Sequence, residues 1–204
     1  MKRRTYLKTA GMALVTAAIT VPFASAKSGM LGKMGPEEFK KANEEAGMKV
    51  KAVMPDGKAL SEDDKKLLML AATGGMMQLE LSKVAVEKAS SEDVRMIAKA
   101  EVDEQTALAA KLSEIARSGG ASLPGAPDEK TSKMVEELSA KSGLELDKHY
   151  LKESGVRGHE KLQETMEKVR SKAENPALKQ VASAALPLIQ VHLQVSKDES
   201  SDMA

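Results

Sequence analysis

The sequence predicts an all-α protein, an antiparallel four-helix bundle with one additional short helix. Apolar residues recur at spacings of three and four from Ser61 onward, which is the period of an amphipathic helix. No segment shows the strict alternation of polar and apolar residues that marks a half-buried strand. The long segments are joined mostly by short connections, and long helices joined in this way pack most simply as antiparallel neighbours around a shared core.

The first 26 residues have the three parts of an export signal. RRTYLK, from Arg3, matches a twin-arginine pattern; an Ala- and Thr-rich run and the small-residue cleavage pattern Ala24-Ser25-Ala26 follow. The apolar run is shorter than the roughly 20 residues of a membrane-spanning helix. We therefore expect a signal peptide over residues 1–26, export by the twin-arginine translocase, and a soluble product in the periplasm or otherwise beyond the inner membrane. Because this route carries folded proteins, often with a cofactor inserted, it also hints at a ligand.

Composition excludes several classes of function. The chain has no cysteine, which excludes disulfide frameworks, thiolate metal sites and cysteine nucleophiles. It has 31 Lys+Arg and 30 Asp+Glu, and removal of the signal takes four basic residues and no acid, leaving a net charge of about −3. With no basic patch, two Tyr, two Phe and no Trp, nucleic acid is not expected as a partner.

Residues 27–60 are Gly- and Lys-rich and predict a mostly extended or mobile lead-in with one short helix near Pro36 to Ala46. Four methionines in this segment raise the possibility of soft copper ligation. Since no histidine or cysteine accompanies them, apolar contacts are the preferred interpretation. These methionines are Met30, Met34, Met48 and Met54.

The bundle is predicted over residues 61–198, with a tail at 199–204. Ser61 begins a capping-box pattern, and the first helix should continue to about Lys88. Ser90-Ser91 caps a second helix that runs to Arg117 and stops at two glycines. After a Pro- and Gly-containing loop, Asp128 caps the short helix, which ends near Ser142-Gly143.

Two further long helices complete the prediction. One covers roughly Glu145 to Ala173, and the other starts at Asn175-Pro176 and extends to about Lys197. Pro187 interrupts this last helix and predicts a kink within a turn of His192. Glycines inside the long helices weaken them by up to about 1 kcal/mol each relative to alanine, which suggests close backbone packing or room for a ligand. These are Gly74, Gly75, Gly155 and Gly158.

Each long helix carries an ionisable residue on a stripe of apolar ones. The first helix has Glu80, and the second has Glu101 and Glu104, which are three positions apart and share a face. The next two long helices have His159 and His192. A buried charge costs several kcal/mol unless it is paired or coordinated, so these groups are less costly together than apart.

If the stripes meet at one level, carboxylates and imidazoles form a ligand set for iron, manganese or zinc. In this hypothesis Glu80, Glu104, His159 and His192 bind the metal and Glu101 is a fifth or bridging carboxylate. The alternative is structural: the three glutamates lie at stripe edges in solvent, and the histidines form hydrogen bonds within the core.

Several stretches resemble the domain of unknown function 4142 family, a ferritin-like group of exported bacterial proteins. They are GGMMQLELSKVAVEKASSEDVRMIAKAEVDEQTALAAKLSEIA, LP, SGLELDKHYL, GHEKL and LKQVASAALPLIQVHL, and they cover about Asp63 to Lys197. The similar positions are Glu80, Asp103, Pro124, Gly143, Asp147, Tyr150, His159, Pro187 and His192. The resemblance implies a ferritin-like bundle and no particular activity.

The chain departs from the family pattern in the second helix. Where members usually have Asp-His, it has Asp103-Glu104, so the site would favour harder cations over zinc or copper.

The leading functional hypothesis is an exported bundle that binds a transition metal for metal handling or stress protection. Enzymatic activity is not favoured, because Leu188 and Ile189 stand where a two-metal site would need a second Glu-x-x-His partner. His149 follows Asp147, yet no serine lies in a nucleophile elbow, so His149 is interpreted as exposed. The alternative function is a non-catalytic structural or interaction module of the cell envelope, as a homo-oligomer or with an envelope partner.

Overall fold

The computed structural model describes residues 29–204, and within that range the secondary structure is helical apart from one isolated bridge between Leu31 and Met34. The α-helices are α1 (Pro36–Ala52), α2 (Glu62–Lys88), α3 (Glu92–Ser118), α4 (Glu129–Ser139), α5 (Gly143–Tyr150), α6 (His159–Lys172) and α7 (Pro176–Asp202). A π-helical segment, Leu151–Gly158, joins α5 to α6. The predicted all-α class is confirmed.

The predicted capping residues begin four of these helices. The side chains of Ser61, Ser91 and Asp128 accept hydrogen bonds from backbone N–H groups three residues ahead, at 3.1, 3.5 and 2.7 Å. Asn175 accepts from the N–H groups of Ala177 and Leu178. Each cap satisfies donors that the first helical turn leaves without a partner.

The bundle pairs α2 with α3 and α6 with α7, and these pairs pack against each other. Its apolar core consists of two clusters; α2, α3 and α7 contribute to both, whereas α6 contributes to one of them and α5 with the π-helical segment to the other. Along α3 the change of cluster falls between Ala98 and Leu108, and along α7 it falls between Ile189 and Val195. A polar layer between these positions therefore divides the core into two halves.

The N-terminal part of the chain differs from the prediction. Helix α1 continues to Ala52, six residues beyond the expected end, and packs against α3 and α7. Phe39, Ala46 and Val50 on α1 are buried. Residues 36–52 are therefore a part of the helical core and not an extended lead-in.

Two other helices also differ from the prediction. The expected helix over residues 145–173 is interrupted by the π-helical segment, and α7 extends to Asp202, through most of the expected tail. Pro187 lies inside α7 with an exposed ring.

The prediction of an export signal concerns the N-terminal end of the chain. The predicted signal at residues 1–26 lies outside the described residues. Among the described helices, none is long and apolar enough to cross a membrane.

Candidate metal centre

The polar layer contains four ionisable side chains from three segments of the bundle. Helix α3 provides Glu101 and Glu104, α6 begins with His159, and α7 provides His192. The side chains of Glu101, His159 and His192 are 0% exposed, and that of Glu104 is 5% exposed. Such groups are stable in a core only when they are paired or coordinated.

Glu101 lies at the centre of this cluster. Its Oε2 atom is 2.9 Å from His159 Nε2 and 2.7 Å from His192 Nδ1. Its Oε1 atom accepts a hydrogen bond from Gln105 Nε2 at 2.9 Å. Both histidines therefore direct one ring nitrogen at the same carboxylate oxygen.

The other nitrogen of His159 is held by the π-helical segment. His159 Nδ1 lies 3.0 Å from the carbonyl oxygen of Ser154, which can only accept a hydrogen bond, and 3.0 Å from Gln78 Nε2, which can only donate one. Because Gln78 Nε2 is itself directed at the Ser154 carbonyl, we assign the hydrogen between the ring and that carbonyl to Nδ1. The wide π-helical turn places this carbonyl beside the ring. Gln78 on α2 supports it: Gln78 Nε2 donates to the Ser154 carbonyl at 3.2 Å, and Ser154 Oγ donates to Gln78 Oε1 at 2.9 Å.

The glycine that precedes His159 allows α2 to approach this closely. A Cβ atom on Gly158 would overlap the Gln78 side-chain amide. Gly158 thus fulfils the sequence expectation of close packing, here against a residue that supports the polar layer.

The other nitrogen of His192 is held by α1. His192 Nε2 lies 2.9 Å from Asn43 Oδ1, and Asn43 Nδ2 donates to the Phe39 carbonyl at 2.8 Å. Because the amide nitrogen is used in that bond, the atom that faces His192 is the oxygen. Nε2 therefore donates, and Nδ1 is left to face Glu101.

Glu104 completes the cluster from the adjacent helical turn. Its Oε2 atom lies 3.2 Å from His192 Nδ1. Within residues 29–204 neither carboxylate oxygen of Glu104 has a hydrogen-bond partner, although both are buried. Two carboxylates and two imidazoles thus converge, and one carboxylate is unsatisfied.

The pKa values of these groups follow from burial and mutual charge. Burial and the charge of Glu101 raise the pKa of Glu104 well above its usual value. Burial opposes ionisation of Glu101, but the two histidines outweigh it and hold the pKa of this carboxyl below its usual range. For His159, burial is likewise outweighed by Glu101, which raises the pKa of the ring. Burial lowers the pKa of His192.

These shifts favour an ionised Glu101, a protonated His159, an uncharged Glu104 and an uncharged His192, a combination with no net charge. Neutrality is the expected outcome in a dry core, where an isolated charge is costly.

The three fully buried side chains have the arrangement of a metal site. One ligand atom each from Glu101, His159 and His192 lies within 4.8 Å of the others. Each histidine also donates its second N–H to a protein oxygen, which is how metal-binding histidines are usually oriented. Glu104 Oε2 offers a fourth oxygen at the same place.

Four of the five predicted site residues meet, and Glu80 does not. Its side chain is 29% exposed and pairs with Lys83 at 2.7 Å. Glu101, expected as a fifth or bridging carboxylate, instead lies at the centre. On α2 it is Gln78 that reaches the polar layer, because the buried stripe of this helix passes through Leu68, Ala71, Gly75, Gln78, Ser82 and Ala85.

The sequence reasoning missed Gln78, Ser154 and Asn43 as site residues. The three-four spacing of the buried α2 stripe was a signal for Gln78, which is an uncharged residue among small ones. Asn43 lies within the segment that was expected to be an irregular lead-in. The role of the Ser154 carbonyl depends on a π-helical turn, which no residue pattern in this segment indicates.

Asp147 and Tyr150 each have a structural role. Asp147 is buried and accepts hydrogen bonds from the backbone N–H groups of Ser90 and Ser91 at 3.0 and 2.8 Å. The Tyr150 hydroxyl is buried 2.9 Å from Ser82 Oγ. His149 is partly exposed, in keeping with its interpretation as a surface residue.

Comparison with known proteins gives one match. A family model described as "Domain of unknown function (DUF4142)" matches residues 50–198. No curated protein and no solved structure matches the chain. The matched segment includes all four ionisable residues of the polar layer, whereas most of α1 precedes it.

Proposed function

Since this chain belongs to the domain of unknown function 4142 family, whose description names no activity, we propose its function from the buried cluster. The protein binds one divalent transition metal ion, iron, manganese or zinc, at Glu101, Glu104, His159 and His192. It does so after export beyond the inner membrane, where it serves in metal handling or protection against metal stress.

The observation that carries this proposal is the contact between Glu101 Oε2 and His192 Nδ1. These atoms are 2.7 Å apart, and on the other side of the ring Nε2–H is directed at Asn43. A carboxylate oxygen and a ring nitrogen held this close need a hydrogen or a metal ion beside them. A metal ion would satisfy both atoms, and with them the unpaired oxygens of Glu104.

The donor set restricts which ion fits. Two carboxylates and two imidazoles suit iron, manganese or zinc, whereas soft copper(I) prefers thiolates and thioethers. Two carboxylates also neutralise the charge of one divalent ion in the core. A pair of metal ions would need more carboxylates than this layer provides.

Burial favours holding a metal over catalysis. Three of the four ligand side chains are 0% exposed and the fourth is 5% exposed, so a substrate has little access to the ion. Slow exchange in such a site suits storage, buffering or sequestration.

Metal analysis of the exported protein tests the proposal. The full chain is expressed with its leader, purified from the periplasm without chelators, and analysed for iron, manganese, zinc and copper alongside E101Q and E80Q. We expect about one metal ion per chain in the wild type and in E80Q, and none in E101Q. Substoichiometric metal in the wild type, with none taken up on reconstitution, would overturn the proposal.

A second candidate function is a structural or interaction module of the cell envelope. It is favoured by one observation: Glu101 already pairs with both histidines, which resembles a polar layer that specifies the packing of a bundle. A double substitution of His159 and His192 discriminates the two functions. If metal content is the same as in the wild type, the interaction function is preferred; a loss of thermal stability alone fits both functions, because both use the buried layer.

A further inference from the structure

Helix α1 supplies one polar side chain to the polar layer, from outside the segment that the family model matches. The family match begins at residue 50, and Asn43 precedes it. Asn43 Oδ1 lies 2.9 Å from His192 Nε2, and the Phe39 ring packs against the imidazole with ring centroids 5.1 Å apart. In this chain the matched segment therefore leaves one edge of His192 for α1 to cover.

We propose that Asn43 is a positioning residue that selects the coordinating atom of His192. It holds the ring hydrogen on Nε2 and so keeps the lone pair of Nδ1 directed at Glu101 and Glu104. This inference rests on the proposed metal function and adds to it the device that prepares one of the ligands.

The direction of the hydrogen bond is fixed by the neighbour of Asn43 on its own helix. Asn43 Nδ2 donates to the carbonyl of Phe39, one turn earlier, at 2.8 Å. Rotation of the amide by 180° would place its nitrogen against His192 and its oxygen against that carbonyl, which loses the bond. The oxygen is therefore held toward His192.

The selection matters because His192 has a competing tautomer. With the hydrogen on Nδ1, the ring would donate to Glu101 Oε2 across 2.7 Å, a strong bond to a charged acceptor. That tautomer would place a hydrogen where a metal ion would lie. In it, Nε2 would present a lone pair to Asn43 Oδ1 at 2.9 Å, unless the Asn43 amide turned and lost its bond to the Phe39 carbonyl. In the Nε2–H tautomer the lone pair of Nδ1 faces Glu101 Oε2 instead, and a hydrogen from Glu104, whose Oε2 lies 3.2 Å away, or a bound cation relieves that repulsion.

Packing alone gives a different expectation. If Asn43 only filled space beside Phe39 and His192, an apolar residue of the same size would serve equally well. If it acts as a hydrogen-bond acceptor, aspartate should replace it and leucine should not. Both substitutions lose the Asn43 donor, and aspartate adds a negative charge as well, so the tautomer of His192 has to be compared together with the metal affinity.

The experiment compares N43L and N43D with the wild type and with E44Q, a substitution at the neighbouring exposed position. The tautomer of His192 is read from the ¹⁵N chemical shifts of its ring in metal-free protein, at a pH where the ring is neutral. Affinity is measured by titration with Mn²⁺ and Zn²⁺. Where N43L does not fold, N43M supplies a side chain of similar length without a strong acceptor.

We expect the Nε2–H tautomer in the wild type, E44Q and N43D, and a shift toward Nδ1–H in N43L. Metal affinity should fall about 10- to 100-fold in N43L and remain at or above that of the wild type in N43D. An unchanged tautomer in N43L, or an equal loss of affinity in N43D and N43L, would refute the role.

The tautomer and the affinity separate this inference from the proposed function. If the wild type takes up neither metal, the proposed function fails, and with it the role of Asn43 as a ligand-positioning residue. If the wild type binds metal while N43L keeps both tautomer and affinity, only the inference about Asn43 fails.

Discussion

The carboxylate of Glu101 and the imidazole of His192 meet at 2.7 Å, although the two residues are 91 positions apart and both side chains are fully buried. One lies on α3 and the other on α7, so the contact forms only when these helices have docked. The same Glu101 oxygen contacts His159, 58 positions away, at the start of α6. The cluster is therefore a product of the assembled bundle, and its stability is coupled to folding.

Replacement of Glu101 by glutamine should abolish metal binding and destabilise the protein. The amide is isosteric but cannot neutralise the His159 imidazolium, and breaking a buried ion pair costs about 3–5 kcal/mol. The free energy of unfolding, measured by urea denaturation of the metal-free protein, gives the size of the effect.

Glu80 provides the matched control for that substitution. E80Q loses a partly exposed pair with Lys83, so the free energy of unfolding should change by no more than about 0.5 kcal/mol and metal content should be retained. Equal effects of E80Q and E101Q would contradict the position of the cluster.

Metal binding should release about two protons per divalent ion. The raised pKa values of Glu104 and His159 favour one proton on each before metal binds, and all ligands must be deprotonated to coordinate. A neutral cluster thereby remains neutral when the ion enters. Calorimetric titration in buffers of different ionisation enthalpy measures the number released. Release of one proton or none would mean that one of these groups is not a ligand.

Glu104 should make the metal-free protein less stable as pH rises. Its folded-state pKa is raised above the unfolded value near 4.5, so its contribution is fully present below pH 4.5 and is lost as pH increases through the raised pKa. The loss is limited to about 1.4 kcal/mol per pH unit.

In E104Q the part of this dependence that comes from Glu104 should be absent, so stability should fall less steeply with pH than in the wild type, while metal affinity falls. His159, whose pKa is also raised, acts in the same direction but is present in both proteins and cancels in their comparison. The two free energies of unfolding are measured from pH 5 to 9 in the presence of chelator. A constant offset across this range would show that Glu104 does not titrate in it.

The helices could be predicted because their start signals are local. Ser61, Ser91 and Asp128 cap the helices that the sequence assigned to them, and each bond spans three residues. The polar layer could be predicted in part, because a charged residue within an apolar stripe stands out in a sequence. His159, His192, Glu101 and Glu104 were found in this way.

The site residues that the sequence did not indicate depend on how a helix is rotated about its axis and on contacts with residues elsewhere in the chain. Apolar residues lie on several sides of α2, so more than one stripe has the three-four spacing. The prediction follows the stripe that contains Glu80, because a charged residue within an apolar stripe indicates a site. The buried stripe carries the uncharged Gln78 instead. Asn43 and the Ser154 carbonyl acquire their roles only from residues 149 and 5 positions away in the chain.

Alanine substitutions at two helical glycines should have opposite effects. A Cβ atom on Gly74 would make an ordinary contact of 3.5 Å with Leu162 Cδ1, so G74A should gain up to about 1 kcal/mol from helix propensity.

A Cβ atom on Gly158 would overlap the Gln78 amide, which cannot turn aside because Ser154 Oγ donates to its oxygen at 2.9 Å. Overpacking of this kind costs about 1–3 kcal/mol, and it should also displace the support of His159 and weaken metal binding. Thermal unfolding followed by circular dichroism, together with a Mn²⁺ titration, measures both effects. A stabilising G158A substitution with unchanged metal affinity would show that the approach of α2 to the π-helical segment does not shape the site.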